Sequence, residues 1–215
     1  MGSIVILDKL TINKIAAGEV IERPANVVKE LVENSIDAGA RSIVVEIKNG
    51  GKTYIKVIDN GKGIEPDDMI NSLERHATSK ITQIEDLEKI YSMGFRGEAL
   101  ASIVSISNLT MISKTKESDT GLKIVAEAGK VIEKQEIGSQ VGTTIIVEKL
   151  FFNTPVRYKF LKQDVTEFKY IKELIQNIAL ANHEIAFKLI NDGKNVFQTN
   201  GNENMKEIIY YMEKK

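Results

Sequence analysis

Between residues 108 and 148 the chain breaks into four short runs of strand length, 108–113, 121–127, 131–136 and 143–148. Turn residues separate them at the spacing of a meander, which predicts antiparallel pairing of neighbours. A second pair, 42–48 and 53–59, the latter alternating over 54–58, brackets Asn49-Gly50-Gly51, a hairpin signal because glycine takes the positive φ of a tight turn. A last hairpin, 185–190 and 195–199, is centred on Asp192-Gly193. Strands of this kind leave one apolar face to be covered. Helices are predicted at 8–22, with Ile12, Ile15 and Ala16 on one side and the small pair Ala17-Gly18 for close packing, and at 24–37, 66–74, 98–104, 166–182 and 202–212. The stretch 150–161 reads as irregular, with Asn153-Thr154-Pro155 as its breaker. The fold class that follows is α/β in the α+β sense: two layers, with helices on one face of a mixed, largely antiparallel sheet. No repeat, low-complexity segment or second domain interrupts it, so residues 1–215 read as a single domain.

Chemistry-bearing residues fall at three separated places in this scaffold. The strand 53–59 ends in Asp59-Asn60-Gly61-Lys62-Gly63, where a carboxylate at a strand end is held rigidly yet faces a pocket. There it can accept a hydrogen bond from an exocyclic amine, while Gly61 and Gly63 lack the Cβ that keeps a flat ring or a phosphate from the backbone. Alone, the pentapeptide is ordinary turn chemistry. The helix 24–37 has one face of Val28, Leu31, Val32, Ser35 and Ile36 and another of Asn26, Glu30, Glu33, Asn34 and Asp37, a stripe of acids and amides that fits a cation or proton-transfer site or a solvated surface. Glu30 and Asn34 project together at i, i+4, so an Asn34 oxygen can ligate Mg2+ on nucleotide phosphates while Glu30 deprotonates an attacking water. A second glycine loop, Gly94-Phe95-Arg96-Gly97, opens the helix 98–104 and closes a polar stretch from residue 75, a pattern that suits a phosphate-sized lid.

Composition excludes other classes. Lysines and arginines nearly cancel acids to a formal charge of −1, so any nucleic-acid contact must come from a local patch such as Arg157, Lys159 and Lys162, three residues that also fit a solvated edge. With no cysteine there is no disulfide, thiolate metal site or thiol nucleophile. No apolar run approaches membrane-spanning length, which makes the cytoplasm the default location.

The spacing Glu-x-x-x-Asn, Asp-x-Gly-x-Gly and Gly-Phe-Arg-Gly-Glu-Ala-Leu resembles the GHKL superfamily of ATPases, with its Bergerat-type ATP-binding fold. Within it, Ile15-Ala16-Ala17-Gly18-Glu19-Val20, Lys29 through Ser35, Arg75-His76-Ala77-Thr78-Ser79-Lys80, Gly94 through Ala101 and Leu150 through Arg157 are worded like the MutL family of DNA mismatch repair proteins. The resemblance covers roughly residues 10–200. It implies an N-terminal, Mg-dependent ATPase domain with ATP and Mg2+ as ligands, Glu30 as general base and Asn34 as the magnesium ligand. It implies that Asp59 binds the adenine amine with Thr143 in support, that Gly61 and Gly63 border adenine and the lid hinge, and that Thr78, Ser79, Lys80, Gly94, Phe95, Arg96 and Gly97 wrap the triphosphate. His76 in that stretch reads as structural, and Glu33, about 100° from Asn34, as a solvated or salt-bridging side chain.

The resemblance further implies nucleotide-driven lid ordering, a homodimer as the switched state, and partners in mismatch recognition, repair nuclease or helicase, and DNA. In such proteins a ribosomal-protein S5-like domain follows and supplies a lysine to the γ-phosphate. Its absence from these 215 residues leads to the expectation of weak turnover and a largely monomeric state. A histidine kinase catalytic domain needs an upstream phosphoacceptor helix, and none fits before residue 24. A non-hydrolysing nucleotide- or DNA-binding module is the alternative from another class, separated by phosphate release.

Overall fold

The computed structural model describes residues 5, 12, 17, 18, 20–75, 77 and 98–213. The described order is α1 (Pro24–Asp37), β1 (Ser42–Lys48), β2 (Tyr54–Asp59), α2 (Pro66–Asn71), α3 (Ala99–Ser105), β3 (Asn108–Lys114), β4 (Gly121–Glu127), β5 (Lys130–Ile137), β6 (Gly142–Glu148), α4 (Pro155–Phe160), α5 (Asp164–Ala181), β7 (Ala186–Asn191), β8 (Lys194–Gln198) and α6 (Met205–Glu213). One eight-stranded sheet runs β5-β4-β3-β6-β2-β1-β7-β8. Every neighbouring pair is antiparallel except β1 with β7, which is parallel and is reached by way of α5. The predicted mixed, largely antiparallel sheet is the one observed.

Period-2 burial puts the core on one face. Ile43, Val45 and Ile47 of β1, Ile55 and Val57 of β2, Leu109 and Met111 of β3, Ile145 and Val147 of β6, and Phe187 and Leu189 of β7 are all buried, while their sequence neighbours are not. Against that face lie Val27, Val28, Leu31 and Val32 of α1, Ile103 and Val104 of α3, and Ile171 and Ile175 of α5, in one cluster. At about 25 cal/mol per Å² of apolar surface removed from water, this contiguous burial is the main stabilising term.

Several boundaries differ from the sequence expectation, each for a physical reason. Residues 150–161 are not irregular throughout: Pro155 starts α4 instead of breaking the chain, because its fixed φ suits the first helical turn. Thr53 lies outside β2, its hydroxyl turned to Asn49 Oδ1 at 2.8 Å. The last helix begins at Met205 instead of residue 202, because the preceding asparagines satisfy its free amides: Glu207 N–H donates to Asn204 Oδ1. Of the predicted helix 8–22, residues 12, 17, 18 and 20 are helical, whereas Ile21 and Glu22 are not, because the chain turns there into the start of α1, where Asn26 Oδ1 accepts from the Glu22 N–H. Ala17 is buried as expected, but Ile12 is exposed.

Candidate nucleotide site

β2 ends at the middle of the sheet, between β1 and β6, with Asp59 opposite Thr143 in register. The Asp59 carboxylate is half-buried and held from three elements. Oδ1 accepts N–H bonds from Gly61 (2.9 Å) in its own loop and from Thr143 (3.2 Å) of β6, and Oδ2 faces the Ser35 hydroxyl of α1 at 2.9 Å. Burial pushes the carboxyl above the ordinary aspartate range, and the donors from Gly61, Ser35 and Thr143 pull the other way without overcoming it. Oδ2 carries fewer fixed donors than Oδ1, so it is the oxygen with capacity left for an incoming amine.

The loop after Asp59 is stitched to its surroundings. Asn60 Oδ1 accepts from the N–H groups of Arg41 (2.9 Å) and Ser42 (2.8 Å), fixing the start of β1. Lys62 N–H donates to Ala38 O (3.0 Å), at the end of α1. Ile64 N–H donates to Ser113 Oγ (2.9 Å), and that buried hydroxyl also sits 3.0 Å from Gly142 O and from Thr143 Oγ1. The glycines are required by the protein itself. Gly63 has φ +77°, and a Cβ there meets the Lys114 carbonyl. At Gly61 it meets Ala38 at 2.9 Å. Room for a ligand is therefore not the only reason for glycine at these positions.

Glu30 and Asn34 lie on one half-exposed face of α1, as their spacing requires. The acid-and-amide stripe on which they sit is less uniform than the sequence implied. Lys29 reaches across it to Glu33 (3.1 Å) and lies 3.8 Å from Glu30, so of the two readings of Glu33 the salt-bridging one is observed. Asn26 belongs to the helix start: its Oδ1 accepts from the N–H groups of Arg23 (3.0 Å) and Glu22 (3.2 Å). Among the described residues no cluster of three or more acids or histidines forms a metal centre. Thr78, Ser79, Lys80, Gly94, Phe95, Arg96 and Gly97, together with His76, lie outside the described residues.

The structure thus brings together Asp59, Gly61, Gly63 and Thr143, and adds two side chains that sequence reasoning did not assign to the site. By its spacing Ser35 belongs to the apolar face of α1. Its one available signal is a hydroxyl among Leu31, Val32 and Ile36. Ser113 carries a similar signal, a polar residue at the inward position after Leu109 and Met111 in β3.

Residues 21–150 match the family of histidine kinase-, DNA gyrase B- and HSP90-like ATPases. The chain is 50% identical over 212 residues to the DNA mismatch repair protein MutL of Agathobacter rectalis, covering 99% of this chain and 33% of that protein. It is 53% identical over 209 residues to MutL of Clostridium tetani, covering 97% of this chain and 34% of that protein. The chain therefore spans about a third of the length of the curated relatives it matches. Among solved structures, the Aquifex aeolicus MutL ATPase domain complexed with ADP superposes with a TM-score of 0.72 at 39% identity, covering 89% of this chain and 69% of that one. The N-terminal domain of a DNA repair protein superposes with a TM-score of 0.80 at 32% identity, covering 94% and 60% respectively.

Proposed function

The chain belongs to the histidine kinase-, DNA gyrase B- and HSP90-like ATPases as a MutL-type N-terminal ATPase domain, and from that premise we propose how its residues bind and hydrolyse ATP. Asp59 is the adenine anchor. The observation that carries this reading is a carboxylate clamped by Gly61, Thr143 and Ser35 with acceptor capacity left on Oδ2. A buried acceptor in a fixed orientation favours a ring bearing an exocyclic amine, because a base without that donor leaves Oδ2 desolvated and unpaired. Thr143 supports Asp59 through its N–H, and Gly61 and Gly63 hold the loop against α1 and β3 so that the anchor keeps its place.

Glu30 is the general base and Asn34 the magnesium ligand. The fit of a metal rests on donor chemistry: Mg2+ would keep most of its shell as water and phosphate oxygen, so one side-chain amide oxygen can hold it, and among the described residues no acidic cage competes for that role. When bound, Mg2+ supplies charge neutralisation to the phosphates. Glu30, one turn away on the same helix face, orients a water and takes its proton. Thr78, Ser79, Lys80 and 94–97 close over the triphosphate as a lid, and their ordering in a homodimer is the switch. The whole chain, 1–215, works as one ATP-binding domain. In a longer protein the switched state engages a mismatch-recognition partner, a repair nuclease or helicase, and DNA, acting in the cytoplasm at the nucleoid. Among the described residues no helix is long and apolar enough to cross a membrane.

Phosphate release with and without Mg2+ tests the catalytic reading. Turnover that needs Mg2+ and disappears on removing Glu30 supports it, and nucleotide binding without turnover under every condition reduces the domain to a binding module. Hydrogen exchange tests the lid: residues 74–96 gain more protection from a triphosphate analogue than from ADP, and equal protection removes the γ-phosphate from the switch.

A further inference from the structure

The turn into α4 combines backbone strain with exposed apolar surface. Lys149 and Phe151 both have positive φ, 52° and 66°. For a bulky aromatic residue this is an outlier that persists only where the surroundings fix it. They do so here. Phe151 is fully buried, its N–H donates to Ile106 O (2.8 Å), and Asn153 Nδ2 donates to Ser105 O (2.8 Å) at the end of α3. Yet the helix that this pinned turn launches buries none of its side chains. Val156 is 66% exposed, Phe160 78% and Tyr158 47%, with Phe152 also exposed beside them. Removing such side chains from water is favourable, so a group of them left exposed together marks a contact surface.

A cavity of about 430 Å³ opens beside these residues, walled by Phe151, Phe152, Pro155 and Tyr158. Its other lining side chains include Lys52, Lys149 and Lys159. Lys52 is engaged by Asp164 and by the Lys162 carbonyl. Lys149 and Lys159 are exposed, and among the described residues neither has an ion-pair partner. An apolar cleft flanked by two uncompensated ammonium groups complements a ligand with an apolar anchor between negative charges. Its cations are two separate ammonium groups flanking an apolar wall, not the continuous basic track that a strand of stacked bases follows, which favours an inserted side chain with charges on either side. We propose that this cleft docks an acidic peptide segment of another protein, seating one aromatic or leucine side chain among Phe152, Pro155 and Tyr158 with flanking carboxylates on Lys149 and Lys159.

The test is fluorescence anisotropy of the intact protein with a labelled peptide carrying one phenylalanine between short aspartate runs. Saturable binding is expected. It should weaken about tenfold or more in a Lys149→Glu/Lys159→Glu double variant and in Tyr158→Ala, and should be unchanged by Lys134→Glu on the far edge strand β5. Replacing the peptide's phenylalanine by alanine should cost a similar factor with the unaltered protein, which decides the matter even if Tyr158→Ala fails to fold. The proposal is overturned if no saturation occurs, or if Lys134→Glu weakens binding as much as the double variant. Displacement of the peptide by single-stranded DNA with the same lysine dependence makes the cleft a nucleic-acid site instead. Self-association that Tyr158→Ala abolishes assigns it to a second copy of the chain.

Discussion

Asp59 and Glu30, the two acids on which the proposed chemistry depends, are held in opposite ways although α1 packs directly on β2. Asp59 closes a central strand and is gripped by donors from its own loop, from β6 and from α1. Glu30 projects from a half-exposed helix face with Lys29 3.8 Å away. The anchor is built into the sheet, where any movement breaks several hydrogen bonds at once. The base stands on a surface that a nucleotide must cover before it is screened from water. Binding residues and chemical residues therefore carry different structural costs when altered, and mutations should separate them.

The sharpest separation should come from Glu30→Ala. Loss of a general base lowers turnover by about 10²- to 10⁴-fold, while ATP affinity stays close to that of the unaltered chain because the group acts in the chemical step. Phosphate release and a nucleotide titration on the same sample check this. A fall in affinity that matches the fall in rate makes Glu30 part of the binding frame and erases the contrast with Asp59.

On the Asp59 side the largest effect should be on the frame itself. Gly63→Ala places a Cβ at φ +77° against the Lys114 carbonyl, so a destabilisation of about 2 kcal/mol or more is expected, read as a lower denaturant midpoint at unchanged slope. Gly39→Ala is the informative control. It has nearly the same φ, +75°, with nothing within 4 Å of the added carbon, so it should carry the backbone strain without the collision. Equal losses at the two positions reduce the Gly63 effect to conformation alone.

Asp59→Asn tests the anchor. Exchanging an acceptor for a donor opposite an amine leaves a mismatch of about 1–3 kcal/mol, roughly tenfold or more in nucleotide affinity, with little change in the bound-state turnover. Unchanged affinity in a calorimetric titration returns Asp59 to the role of a turn residue.

The same contrast explains what the sequence made legible. Short apolar-rich runs bounded by turn residues mark 42–48, 121–127 and 143–148 as strands, whose observed burial alternates because one face is covered, and Pro24 with the apolar stripe of α1 marks that helix within a residue of its observed ends. Asp59 stood out only in company: its pentapeptide alone is ordinary turn chemistry, and the Glu30/Asn34 pair and the second glycine loop elsewhere in the chain are what single it out. α4 was not legible, since periodicity is a record of burial and a helix with no buried side chain leaves none. Ser35 and Ser113 escaped for the converse reason: each is small, sits at an inward position and is buried, so it reads as core filling until the hydrogen bonds to Asp59 and to Gly142 and Thr143 are seen.

Ser35 supplies the smallest and most diagnostic effect, through pH. Burial raises the Asp59 carboxyl above its ordinary 3.8, so between that value and the native one the folded chain holds a proton that the unfolded chain has released. For Asp59 alone, stability therefore rises as pH falls through this window, the reverse of a salt-bridged aspartate. Adenine binding runs the other way, because the protonated acid no longer offers the amine an unshared carboxylate, and affinity should decline on acidification at a pH above the usual aspartate range. The Ser35 hydroxyl has a single proton and two acceptors in reach, Asp59 Oδ2 at 2.9 Å and Leu31 O at 3.1 Å. If it donates to Asp59 it favours the ionised form. Ser35→Ala should then move the acid limb of nucleotide binding to still higher pH, with a loss of about a few-fold in affinity near neutrality, about 1 kcal/mol at most. Affinity profiles of the two proteins across the acid range decide it: superimposable limbs mean that the proton rests on the Leu31 carbonyl, and that Asp59 is held by its two backbone donors alone.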